Sequence, residues 1–165
     1  MDTSTIWLFI LLGGAISLLG VTLIAVTVSW HRQAKATELR DLKISILSKM
    51  CSLIESRGPR NWSVAGIAAG IGTENLAAIR RALLQLRLSG YVVISLSPSG
   101  DDLLYAPTIL GELVAIIEQR SYYTNQLADA LRINRLTAAE LARHAVRDGL
   151  IRDAPPNLFK SVHAR

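Results

Sequence analysis

Arg132, Asn134, Arg135, Thr137, Arg143, His144 and Arg147 fall in one short stretch near the C-terminal end of the chain. Their side chains suit the recognition of phosphates and base edges. A guanidinium forks onto phosphate or onto the O6 and N7 atoms of guanine, and an Asn amide pairs with adenine in the same bidentate way. Asn75, Arg80, Arg81 and Gln85 repeat that chemistry upstream, although Glu74 beside them would repel phosphates. If four arginines of the C-terminal set neutralised phosphates, affinity would fall with salt at a log–log slope of about −3.6. The competing reading is a solvated helix face whose arginines pair with Glu140 and Asp148.

Other chemistry is not visible. His31, His144 and His163 are scattered and share no ligand spacing with Cys51, so no metal and no cofactor are expected. LLGGAISLLG lies inside an apolar run, and AAGIGTEN lacks the Lys and Ser/Thr of a phosphate-binding loop. No Ser-His-Asp or paired-carboxylate spacing stands out, and the expectation is a protein that is not an enzyme. The lone Cys51 cannot form an internal disulfide, which fits a reducing compartment, and it reads as a small, partly buried residue.

Charge placement narrows the partners. The 165 residues carry 18 Lys and Arg against 13 Asp and Glu, a formal net charge of +5, and every basic residue lies at or after Arg32. Such a balance favours nucleic acid, acidic proteins or lipid headgroups.

Residues 6–30, from Ile6 to Trp30, contain no charge and are bracketed by Trp7 and Trp30. This length exceeds the ~20 residues a helix needs to span a hydrocarbon core, so a single transmembrane helix is expected. The basic flank of Arg32, Lys35, Arg40 and Lys43 would hold the rest of the chain on the cytoplasmic side of the inner (plasma) membrane, with the N-terminus outside. Gly13, Ser17 and Gly20 form a small-residue stripe that would suit packing against a second copy or a partner helix in the bilayer.

Beyond the anchor, Leu39, Leu42, Ile46, Met50, Leu53 and Ile54 mark a helix that stops at Gly58-Pro59. Ser63 reads as the cap of a short helix through about Ile71, and Thr73 as the cap of a longer one through about Ser89. Gly90 closes it. Tyr91 to Leu96 and Leu103 to Tyr105 then read as a hairpin around SPSGDD.

Ile67-Ala68, Gly72, the helix bearing Ile79, Ala82, Leu83 and Leu86, and Gly90-Tyr91-Val92 together resemble the winged helix-turn-helix superfamily. A second copy follows Pro107: Ile109, Leu113, Ile116 and Ile117 mark a helix, then come Leu127 to Leu131, a turn at Ile133-Asn134, and a helix ending at Gly149-Leu150-Ile151. Ile67 and Leu127, like Gly90 and Gly149, stand about 60 residues apart, as tandem units would. The first copy is one residue longer between its Ile-Ala pair and its closing Gly, and Arg132 stands where a turn Gly is common.

The resemblance implies a mainly α fold with a small β-hairpin wing: tandem winged-helix-like units behind a transmembrane helix. The expected divisions are a tail at 1–5, the anchor at 6–30, a first unit with its basic linker at 31–106, a second unit at 107–155 and a loose tail at 156–165. Two function classes stay open. One is a membrane-tethered DNA-binding protein in transcription regulation, with the second unit as main reader of double-stranded DNA. The alternative is an interaction or assembly subunit of a membrane complex whose winged-helix units dock proteins. The lipid bilayer is a partner in both.

Overall fold

Leu39, Leu42, Ile46 and Met50 recur at helical spacing and turn one stripe of a long helix toward the core. That helix is α1 (Thr3–Glu55) in a computed structural model describing residues 3–55, 61–100, 102–154 and 158–163, with α1 side chains described from Ile24 to Ser52. The chain divides into two units, Met1–Glu38 and Leu39–Arg165. In the first, the side chains from Ile24 to Glu38 are all exposed.

The membrane crossing expected over 6–30 is corrected: among the described residues, no helix is long and apolar enough to cross a membrane. Residues 6–30 belong to α1, which carries on through Arg32, Lys35, Glu38, Arg40, Asp41 and Lys43. Trp30 is followed by a charged stretch rather than by further apolar residues. Charges recurring at nearly every turn beyond it are costly in lipid. The N-out orientation, the inner-membrane and cytoplasmic localisation, the bilayer partner and the partner membrane helix rested on that crossing and fall with it. The side chains of Gly13, Ser17 and Gly20 lie outside the described residues.

In the second unit, Ser63 accepts a 3.1 Å hydrogen bond from the Gly66 N–H and so starts α2 (Val64–Ile71). Gly72, at φ +77°, ends it in the left-handed region. The cap of α3 (Leu76–Leu88) is Asn75 rather than Thr73: its side chain accepts from the Ala78 N–H at 3.0 Å, while the Thr73 hydroxyl accepts from the Asn75 N–H. β1 (Val92–Leu96) and β2 (Leu103–Pro107) form an antiparallel hairpin with Ile94 opposite Tyr105. Trp62 adds a bridge on the far side of β2, exchanging two 2.8 Å backbone bonds with Tyr105.

The chain then repeats the order with α4 (Ile109–Gln119), β3 (Tyr122–Tyr123), α5 (Thr124–Leu131), α6 (Arg135–Arg147), β4 (Ile151–Ala154) and β5 (Leu158–Ser161). The sheet order is β3-β5-β4, so β3 pairs with the last strand just as Trp62 pairs with β2. Helix, short strand, two helices and a hairpin returning to the short strand is a winged-helix-like arrangement, present in both halves. The tail expected to be loose is corrected. Leu158 to Ser161 is a strand with Phe159 and Ser161 buried, and the Ser161 hydroxyl donates to Glu118 of α4. Burying Phe159 contributes about 1.5–3 kcal/mol to holding it there.

One apolar core runs through both halves. Ile46, Leu47 and Met50 of α1, Ile79, Leu83 and Leu86 of α3, Leu113 and Ile117 of α4 and Leu127 of α5 are all fully buried in it. α6 contributes Ala138, Ala142 and Ala145, small residues that let α4 approach closely. The start of α4 is tied to the first wing: the Thr108 hydroxyl donates to the Gly90 carbonyl at 2.7 Å, and its N–H donates to the Tyr91 carbonyl at 3.0 Å. A side chain at Gly111 would collide with that same Tyr91 carbonyl, so only glycine fits there.

Candidate nucleic-acid interface

The turn preceding each longer helix sets its angle, and the two turns differ by one residue. Gly72 ends α2 three positions before the cap Asn75, whereas Arg132 ends α5 two positions before the cap Asn134. The extra residue of the first copy therefore lies in its turn. Arg132 takes the left-handed conformation that Gly72 takes, with φ 55° on a residue that has a Cβ. Its side chain is exposed at the start of α6.

Asn134 is committed to capping: its side-chain oxygen accepts from the Thr137 N–H at 2.8 Å. Its amide NH2 remains as a donor. Asn75 is held the same way on Ala78. Both asparagines are thus fixed in place, with the side-chain oxygen that bidentate pairing with adenine would use already engaged. Arg135 is exposed in the first turn of α6, and Thr137 is half-buried behind it.

Leu136, Glu140, Arg143 and Arg147 follow at helical spacing and are all exposed, forming the outward face of α6. Arg143 lies back along the helix, its Nε donating to the Ala139 carbonyl at 3.2 Å. Arg147 reaches His144, with Nη2 3.4 Å from Nδ1. His144 turns away from the outward face: its Nε2 lies 3.4 Å from the Asp148 carboxylate, and its ring meets Tyr91 edge-on with centroids 5.9 Å apart. Among the described residues, Arg132, Arg135 and Arg143 have no carboxylate partner, and Glu140 takes none of them. The pairing of arginines with Glu140 expected for a merely solvated face is not formed.

With Gly90 aligned on Gly149, the matching outward face of α3 reads Ala77, Arg81, Leu84 and Leu88. Arg80 and Arg81 are exposed there, but Leu84 stands where α6 has Arg143, and Leu88 where it has Arg147. Gln85 occupies the place of His144 and likewise turns inward. It lines a cavity of about 190 Å³ with Lys43, Ser89, Tyr91 and Asp148, at the junction of the two halves. The structure therefore gathers Arg132, Arg135, Arg143 and Arg147 about α6, and sets Gln85 and His144 at the junction.

Two basic residues escaped the sequence reading because the second wing did. Arg152 on β4 and Lys160 on β5 are register partners, so they project from the same face of the hairpin. Like charges directly opposite destabilise a sheet unless an anion lies between them. The signal that would have found them is Gly149-Leu150-Ile151, which matches the Gly90-Tyr91-Val92 that leads into the first wing.

No protein-family model matches the chain, and no curated protein matches its sequence. Among solved structures, the chain is similar to the mRNA-binding domain of elongation factor SelB from E. coli in complex with SECIS RNA. The identity is 21%, over 70% of this chain and 96% of that one, with a TM-score of 0.31.

Proposed function

We propose that the protein binds double-stranded DNA, without catalysing a reaction, through its second winged-helix-like half. In this reading α6 enters the major groove, Arg135 and Arg143 reach guanine or phosphate, and Arg132 and Arg147 clamp the flanking backbone. The β4–β5 hairpin lies along the adjacent phosphates with Arg152 and Lys160. Selective occupation of sites in this way makes transcriptional control the natural output.

The observation that supports it is the unpaired state of the basic residues. Arg132, Arg135, Arg143, Arg152 and Lys160 have no carboxylate partner among the described residues, although Glu140 and Asp153 lie close in sequence. They stand on α6, in the turn before it and on the β4–β5 hairpin that follows it.

The test is fluorescence anisotropy of the full chain on mixed duplex fragments across a salt series. With Arg132, Arg135, Arg143, Arg147, Arg152 and Lys160 all on phosphates, selective binding with a log–log slope near about −5.4 is expected, reduced by about 1.8 in an Arg135→Ala, Arg143→Ala double variant. A folded protein that binds no duplex at low salt would overturn the proposal. Tighter binding to an RNA hairpin than to any duplex DNA would move the same face to a different nucleic acid.

A further inference from the structure

The outward face of α3 carries leucines where α6 carries arginines, and it borders a groove of about 580 Å³ between α2, α3 and the first wing. Leu76, Leu84 and Leu103 line it while 40%, 54% and 50% exposed, and Ile94 and Tyr105 form its floor. Arg80 and Arg87 stand on its α3 rim, with Asp102 on the wing side. Exposed leucines clustered in a concave surface mark a binding site far more often than isolated ones do.

We infer that this groove docks an acidic amphipathic helix of a partner protein. Leu76, Arg80, Leu84 and Arg87 alternate along α3 over about 16 Å, the length of a helix of roughly three turns. A partner helix laid along it places apolar side chains every three to four residues against Leu76, Leu84 and Leu103. Its Asp or Glu residues beside them meet Arg80 and Arg87.

Charge excludes the other occupants. A second copy using the same face would set Arg80, Arg81 and Arg87 against one another, and like charges facing across an interface disfavour assembly. The residues of this chain outside the described ones, 1–2, 56–60, 101, 155–157 and 164–165, form no stretch long enough for a helix of three turns. Duplex DNA meets leucines at the two positions that need cations, and Asp102 on the wing repels its backbone. The inference concerns the first half alone and does not rest on DNA binding by the second.

Two synthetic helical peptides form the probe. One has Leu anchors at i, i+4 and i+8 with Glu beside them; the other has Lys in place of Glu. Binding to the full chain is read by anisotropy, and methyl NMR reports Leu76, Leu84 and Leu103. The Glu peptide should bind at least tenfold tighter than the Lys peptide and shift those three methyl groups. Leu84→Asp, at an exposed position, should weaken it more than tenfold. Arg80→Glu with Arg87→Glu should invert the preference toward the Lys peptide, an effect that unfolding cannot mimic. Equal binding of both peptides, shifts confined to other leucines, displacement of the Glu peptide by duplex DNA, or self-association abolished by Leu84→Asp would each overturn the inference.

Discussion

The Tyr91 hydroxyl donates a 2.9 Å hydrogen bond to the carboxylate of Asp148, joining the root of the first wing to the residue that caps the end of α6. A carboxylate at a helix C-terminus faces the negative end of the helix dipole and needs a compensating partner. Tyr91 supplies it from the other half of the molecule, with His144 3.4 Å away on the same carboxylate. Tyr91→Phe keeps the buried ring and removes only this bond. It should lower stability by about 1.5 kcal/mol, the low end for a bond to a charged group, because water can reach Asp148 in its place. Chemical denaturation of the two proteins measures the difference. An unchanged midpoint would show that the bond adds nothing to the joining of the halves.

Two groups at this junction give stability opposite slopes with pH. Burial pushes the Lys43 ammonium below its ordinary value of 10.5, the nearby Asp148 opposing only in part. Between the folded value and 10.5 the unfolded chain holds the proton that the folded chain has released, so stability rises with pH across that window. Burial first, and then the bond to Asp148, push the Tyr91 phenol well above its ordinary value of 10.0. Above that value the unfolded chain loses a proton that the folded one keeps, and stability falls as pH rises. Denaturation midpoints from about pH 7 to pH 11 should therefore climb and then drop. Lys43→Met should remove the climb and Tyr91→Phe the drop; a flat profile in the unmodified protein would contradict both shifts.

Arg132 and Gly72 occupy the same left-handed turn position, and they make a matched pair of tests. Nothing lies within 4 Å of a Cβ built at Gly72, so Gly72→Ala tests backbone conformation alone and should cost about 1 kcal/mol. Arg132→Gly relieves the same strain but frees the unfolded chain, for a net gain of about 0.5 kcal/mol. DNA affinity should move the other way in that variant, because a cation at the start of α6 is lost. Stability and affinity falling together would mean that Arg132 holds the turn rather than the ligand.

The parts legible in the sequence were those whose signal is local. The Ser63 cap, the Gly72 turn, the periodic leucines of α3 and the first hairpin all depend on residues within a few positions of one another. The cap of α3 was misplaced because Thr73 and Asn75 both have capping side chains, and only the longer turn decides between them. β5 was invisible because four residues make a strand only through non-local pairing with β3 and β4 and burial of Phe159 against the core. For the site, residue type identified the arginines of α6. Which way Gln85 and His144 turn depends on Tyr91 and Asp148, far away in the chain, and no spacing rule reveals it. The apolar run at 6–30 misled in another way: its length met the rule for a membrane span, yet among the described residues no helix is long and apolar enough to cross a membrane.

The Arg152–Lys160 pair separates a structural wing from a binding wing. Two cations in register on one hairpin face repel, and replacing one by an acid turns that repulsion into attraction. Lys160→Glu should therefore stabilise the protein by up to about 1 kcal/mol, the span of cross-strand pair effects. If the hairpin lies along a phosphate backbone, the same change should weaken duplex binding severalfold and flatten its salt dependence, because a counterion-releasing contact is lost and a repulsive charge takes its place. A thermal melt and an anisotropy titration on one preparation read both. A more stable variant with undiminished affinity would remove the second wing from the interface and leave α6 to act alone.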